Sequence, residues 1–118
     1  MSSYIDEFQK CSLESRKSDS SRLLSKYPDR CCIIVGRSDD SDLPDLDKHK
    51  FLVPRGLTMS QFQYVIRKKI RCRPEQGIYM FINKKLVPIT QTVGNVFHEN
   101  KGEDGYLYIR YTGENTFG

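Results

Sequence analysis

Residues 50–70 read Lys50-Phe51-Leu52-Val53-Pro54-Arg55-Gly56-Leu57-Thr58-Met59-Ser60-Gln61-Phe62-Gln63-Tyr64-Val65-Ile66-Arg67-Lys68-Lys69-Ile70, a strand followed at once by a helix. In the first five residues Phe51 and Val53 share one face of the strand, and Lys50 and Leu52 share the other. Pro54 marks the strand's end, because proline belongs at a sheet's edge or terminus. The helix has an explicit start signal. Thr58 is the N-cap and Gln61 the N3 partner of a capping box, with Leu57 and Phe62 at the staple positions. Phe62, Val65, Ile66 and Ile70 then form an apolar stripe that leaves Arg67, Lys68 and Arg71 mostly off it.

Upstream, Arg30-Cys31-Cys32-Ile33-Ile34-Val35 is a short continuous apolar run, the pattern of a central strand buried on both faces. The Asp- and Ser-rich stretch 38–47 reads as a loop. Ten of the eleven serines precede residue 42. Within that polar region Ile5, Phe8 and Leu13 keep helical spacing over residues 4–13, with Ser3 as N-cap. A second helix is expected from about Ser15 to Lys26, stopped by Pro28. Downstream, Ile78–Ile82 is a third strand, and Asn83-Lys84-Lys85 turns it into a short Leu86-Val87 extension. Val93, Val96 and Phe97 mark a short helix after Thr92, and Leu107–Tyr111 closes the sheet.

This order predicts an α+β chain: a four-stranded mixed sheet with a crossing helix on one face, in the ubiquitin-like β-grasp arrangement, preceded by two extra helices. The expected divisions are an N-terminal helical subdomain (1–27), a β-grasp core (28–111) and a flexible tail (112–118), all in one compact domain.

With 118 residues there is room for one core and no second one of useful size. No apolar run approaches the roughly 18–20 residues of a membrane span, and the N-terminus has no signal-peptide apolar segment. Cys11, Cys31, Cys32 and Cys72 make no C-x-x-C pair, and with only His49 and His98 they offer no zinc spacing. Adjacent Cys31 and Cys32 should point to opposite faces of their strand.

The formal charge of +4 conceals an asymmetry. Residues 38–47 carry five acids and no base, whereas residues 48–74 carry eight bases and no acid. Such a basic segment suits nucleic acid, anionic lipid or acidic peptides, or is a solvated helix face. No aromatic RNA-binding motif or Gly-rich phosphate loop accompanies it.

Several segments carry a resemblance: Lys26-Tyr27-Pro28-Asp29-Arg30, Asp45-Leu46-Asp47-Lys48, Lys50-Phe51-Leu52-Val53-Pro54, Gln61-Phe62, Ile66-Arg67-Lys68 and the ending Tyr111-Thr112-Gly113-Glu114-Asn115-Thr116-Phe117-Gly118. In this order the chain resembles the autophagy ubiquitin-like modifiers related to GABA-receptor-associated protein, from about Ser18 onward. The resemblance implies a non-enzymatic modifier that needs no cofactor. Its terminal glycine is adenylated by an E1-like enzyme, passed to an E2-like enzyme as a thioester, and joined to phosphatidylethanolamine in the autophagosome membrane. Gly118 is then the conjugation point, and Phe117 with Gly118 is what the processing and delipidating cysteine protease reads. Glycine suits that end, since it has no Cβ to obstruct attack and threads narrow channels.

The resemblance also implies binding of autophagy receptors and adaptors through aromatic-x-x-aliphatic motifs, laid as a strand beside residues 50–54. The aromatic pocket falls on Asp19, Leu23, Cys32, Ile34, Lys50, Leu52 and Tyr106. The aliphatic pocket falls on Phe51, Val53, Pro54, Leu57, Phe62 and Val65, of which Phe62 and Val65 read equally as core. Arg30, Lys48, Arg67 and Lys69, with Lys50, would meet acids flanking the peptide's aromatic residue. The implied localisation is cytoplasmic, and on the autophagosome membrane after lipidation, with no nucleic-acid partner.

Two departures stand out. Cys31-Cys32 replaces the family's usual apolar residue and proline, and the N-terminus lacks its acidic-proline-phenylalanine segment. Family precursors mostly extend beyond the glycine, so an end at Gly118 is expected of a processed, truncated or ready-made form. Three other readings stay open on the residues alone: a modifier joined to a protein lysine, a small basic nucleic-acid-binding domain, and a cysteine enzyme.

Overall fold

The computed structural model describes residues 3–113. Its elements, in chain order, are α1 (Tyr4–Gln9), α2 (Leu13–Lys26), β1 (Arg30–Arg37), β2 (Lys50–Pro54), α3 (Met59–Lys69), β3 (Tyr79–Ile82), β4 (Lys85–Leu86), α4 (Val93–Asn100) and β5 (Leu107–Thr112). The strands form one sheet in the order β2-β1-β5-β3-β4. β1 and β5 run parallel at its centre, and the other pairs are antiparallel. This is the expected mixed sheet with two helices in front.

Strand alternation divides the interior into two cores. Cys31, Ile33, Val35, Leu107, Ile109 and Tyr111 face one side, where Met59, Phe62 and Ile66 of α3, Ile70 at its C-cap, and Val93, Val96 and Phe97 of α4 cover them. Cys32, Ile34 and Tyr106 belong to a smaller core on the other side, covered by Ile5, Tyr4 and Phe8 of α1 and Leu23 of α2. The adjacent cysteines therefore do part to opposite faces, and burial pushes both thiols up.

The α3 start forms as the sequence requires. The Thr58 hydroxyl accepts from Gln61 N at 3.1 Å, and the Gln61 side chain accepts from Thr58 N at 2.9 Å. Thr92 caps α4 by accepting from Asn95 N at 3.2 Å, and Thr58 and Thr92 form an isolated bridge that sets the two helix starts side by side.

Several boundaries differ from the sequence reading, β1 running on to Arg37 and β3 starting at Tyr79 among them. Ser12 caps α2 by accepting from Ser15 N at 3.1 Å, so α1 stops at Gln9 and Leu13 begins the second helix. The Leu86-Val87 extension is paired: Lys85–Leu86 forms β4, making five strands rather than four. Asn83 and Lys84 both adopt positive φ, 51° and 67°, the geometry of a tight hairpin. Val87 N then donates to Met80 O at 2.9 Å. Thr112, read as the first tail residue, pairs with Tyr79 inside β5.

The helices of the second core are locked individually. Asp104, only 2% exposed, receives Arg16 at 2.6 Å and the Tyr108 hydroxyl, and its carbonyl accepts from the Ser20 hydroxyl at 2.6 Å. These bonds tie α2 to the turn before β5. Gly105 makes the approach possible: its φ is +85°, and a Cβ there would stand 2.5 Å from Ser20 Oγ. Ile5 anchors α1 over Gly36, where a Cβ would lie 3.0 Å from the Ile5 side chain. Among the described residues no helix is long and apolar enough to cross a membrane.

Candidate functional site

β2 is an outer strand, paired on one side only. Val35 N donates to His49 O at 2.8 Å, and Arg55 N donates to Asp29 O at 3.3 Å. Alternation then turns the backbone groups of Phe51 and Val53 toward β1, and those of Lys50 and Leu52 toward the open edge. Pro54 has no N–H and ends that edge. The open edge is not bare: the Arg30 guanidinium reaches round from β1 and donates to the Leu52 carbonyl at 3.4 Å.

On the face of the second core, the structure gathers all seven residues assigned to the aromatic pocket. Cys32 lies opposite Leu52, and Ile34 opposite Lys50. Cys32, Ile34 and Tyr106 are buried, with Leu23 and Leu52 packed against them. Asp19 sits at the rim. Its carboxylate accepts from the Tyr106 hydroxyl, from Lys50 at 3.0 Å and from Arg22 at 2.6 Å. Those donors hold its pKa down at about 2, with the Tyr106 hydrogen bond the largest cause and partial burial opposing it. Burial, then Asp19, pushes the Tyr106 phenol up. Lys50 also lies over two rings, 5.0 Å from the centroid of Phe8 and 5.9 Å from that of Tyr106.

On the opposite face the assigned aliphatic residues divide. Phe51 meets Phe62 edge to face at 5.7 Å, and Phe51 and Leu57 lie half-buried against the main core. Phe62 and Val53 are themselves core, so their role beneath a bound side chain is support. Val65 lines a shallow hollow with Tyr64, Lys68 and Lys69 further along α3. Pro54 is exposed and, by strand parity, falls with Lys50 and Leu52 instead of with Phe51.

The electrostatic candidates also separate. Lys48, Arg30 and Lys69 are exposed, and none forms an ion pair among the described residues. Arg67 turns to the end of its own helix, donating to Arg73 O at 3.2 Å and Cys72 Sγ at 3.5 Å. The chain reverses there through Arg71, whose φ is 57°, and its carbonyls need donors. Gly118 and Phe117 lie outside the described residues.

Two residues with direct contacts to this site carried no role in the sequence reading. Arg22 binds Asp19 from one helical turn away, a partnership visible in the i,i+3 charge pair. Phe8 reaches Tyr106 from α1, and no local pattern in the sequence announces it. Among the described residues no group of His, Cys, Asp or Glu could hold a metal ion.

Comparison with known proteins bears on the family and the fold. A family model described as autophagy protein Atg8, ubiquitin-like, matches residues 15–118. The chain is 48% identical over 117 residues to autophagy-related protein 8 of Schizosaccharomyces pombe, covering 99% of this chain and 94% of that protein. It is 47% identical over 106 residues to autophagy-related protein 8d of Arabidopsis thaliana, covering 90% of this chain and 88% of that one. The crystal structure of Trypanosoma brucei ATG8 superposes with a TM-score of 0.84 at 38% identity, covering 91% of this chain and 92% of the other.

Proposed function

This chain belongs to the Atg8 family of ubiquitin-like autophagy proteins, and from that premise we propose that it is a membrane-conjugated modifier and peptide-binding adaptor. In this reading the Gly118 carboxylate is activated with ATP as an adenylate, releasing pyrophosphate, transferred to an enzyme thiol as a thioester, releasing AMP, and joined to the amine of phosphatidylethanolamine as an amide. The thiol is released at the last step. The chain acts as substrate of the E1-like and E2-like enzymes, and of a cysteine protease that reads Phe117-Gly118. It moves from the cytoplasm to the autophagosome membrane when lipidated.

The observation that carries the adaptor role is the β2 edge. A peptide strand laid there would exchange backbone hydrogen bonds with Lys50 and Leu52. In an extended peptide, residues i and i+3 point to opposite sides. An aromatic-x-x-aliphatic motif therefore sends its two anchors to opposite faces, and the two clusters lie on opposite faces of β2. Lys48, Lys50 and Lys69 supply attraction for acids beside the aromatic residue, at about 0–1 kcal/mol for each exposed pair. The pockets must then provide most of the affinity.

Titration with such a peptide, followed by NMR, tests the adaptor role. Shifts are expected at residues 50–54 and along α3, and shifts confined elsewhere would refute it. For conjugation, Gly118→Ala should abolish the membrane-bound form in cells. Unchanged membrane conversion would remove Gly118 from the reading.

A further inference from the structure

The aromatic cluster is closed in the free chain. Tyr106 is 1% exposed, Cys32 3% and Ile34 0%, so an incoming ring reaches them only if something covering them moves. Two helices do the covering, and they are held very differently. α2 is fixed by polar bonds: Arg16 and Ser20 to Asp104, and Asp19 to Tyr106 and Lys50. α1 has six residues, too few to be stable alone, and depends on what it packs against.

Within α1 the two ends also differ. The first turn is anchored, with Ile5 buried and Arg110 bound to Asp6 at 2.9 Å and to Ser3 at 3.2 Å. Phe8, on the last turn, is half-buried and holds its place through rings. It meets Tyr106 edge to face at 5.2 Å, and stacks at 6.1 Å on Tyr4, which in turn stacks at 4.1 Å on His49. His49 is fixed by donating from Nδ1 to Val35 O at 2.8 Å. Phe8 thus lies against Tyr106 and beneath Lys50, the two contacts that an aromatic side chain entering the cluster would make.

We propose that Phe8 is an intramolecular lid on the aromatic pocket, a stand-in ring that a peptide's aromatic side chain must displace. The lid swings with the last turn of α1 about the Ile5 anchor, and the short Lys10-Cys11-Ser12 link absorbs the movement. The proposal rests on the peptide-groove reading above, and it adds that α1 docking and peptide binding compete.

The test titrates the full-length chain, and its Phe8→Ala and Tyr4→Ala variants, with one aromatic-x-x-aliphatic peptide. Affinity is measured by calorimetry, with amide exchange and NMR shifts recorded along α1. Removing a half-buried phenyl competitor should tighten binding by roughly 3- to 10-fold in Phe8→Ala. Tyr4→Ala loosens the ring ladder while leaving Phe8 itself in place, and should tighten binding less. In the unsubstituted chain, saturating peptide should shift the amides of Phe8–Cys11 and speed their exchange. Equal or weaker binding by Phe8→Ala, with shifts at residues 50–54 but still-protected α1 amides, overturns the lid alone and makes Phe8 a fixed wall. Should Phe8→Ala fail to fold, Tyr4→Ala decides on the same criteria. Absence of binding by every chain removes the groove reading, and the lid with it.

Discussion

The phenol of Tyr106 donates to the carboxylate of Asp19, joining the residue that leads into β5 to the middle of α2. The bond sits over the second core, where Tyr106 is otherwise surrounded by apolar groups and Phe8. Replacing Tyr106 with Phe keeps the ring and removes the donor. Asp19 retains Lys50 and Arg22, so the expected loss is one hydrogen bond, about 1–2 kcal/mol of unfolding free energy. Urea denaturation of Tyr106→Phe measures it. A midpoint equal to that of the parent chain would show that the bond contributes nothing net.

Acid should undo the same cluster in a defined window. The folded-state pKa of Asp19 is lowered from 3.8 to about 2, so the unfolded chain binds the proton first. The stabilisation is complete above the unfolded value and is lost as pH falls through the folded one, that is between about pH 4 and pH 2. It is on the order of 1–2 kcal/mol. Stability measured from pH 5 to pH 2 should fall more steeply in the parent than in Asp19→Asn, and parallel curves would dissociate Asp19 from the acid limb.

Arg16 and Asp104 form the most enclosed ion pair among the described residues. Arg16→Ala leaves the Asp104 carboxylate buried with the Tyr108 hydroxyl and the Tyr106 backbone N–H as its remaining donors. The expected cost is about 3 kcal/mol, well above that of an exposed pair such as Lys10–Glu7. Thermal unfolding of Arg16→Ala and Lys10→Ala side by side gives the comparison. Similar melting temperatures would contradict it.

Phe51 and Phe62 touch, yet truncation should affect stability most at one and peptide binding most at the other. Phe62 is 1% exposed, so Phe62→Ala should cost about 3–5 kcal/mol of stability. Phe51 is half-buried on the open strand, so Phe51→Ala should cost less than half as much while weakening peptide binding at least several-fold. A Phe51→Ala chain with full peptide affinity would remove that ring from the aliphatic anchor site.

Much of this was readable along the chain because the signals are local. The Thr58–Gln61 capping box, the alternation in 50–54 and the divergence of Cys31 and Cys32 each depend on a few neighbouring residues, and each appears where the spacing puts it. The end of α1 was misread because apolar spacing continues through Leu13, whereas the Ser12 cap overrides it. Arg67 looks like any exposed helical cation until the reversal at Arg71 supplies carbonyls for it. Asp104 gave no signal at all, and Phe8 read only as an apolar position of the first helix. Their roles come from partners 88 and 98 positions away in sequence, a relationship that periodicity does not encode.

The guanidinium of Arg30 on the Leu52 carbonyl has a consequence for crowding. A sheet edge with free backbone groups is a template for the same edge of another copy, and conjugation to lipid, as proposed above, would hold copies in a thin layer at high local density. This chain blunts both of its edges. β4 is two residues long and follows Lys84, while β2 ends in Pro54, begins at Lys50 and has one of its outward acceptors already engaged by Arg30. Pairing copy to copy would bring the cations of both copies to one seam and give up that hydrogen bond. In the proposed adaptor role an acidic peptide strand would meet the same cations with opposite charge, so the features that would suit the edge to a foreign strand also discourage aggregation of the chain with itself.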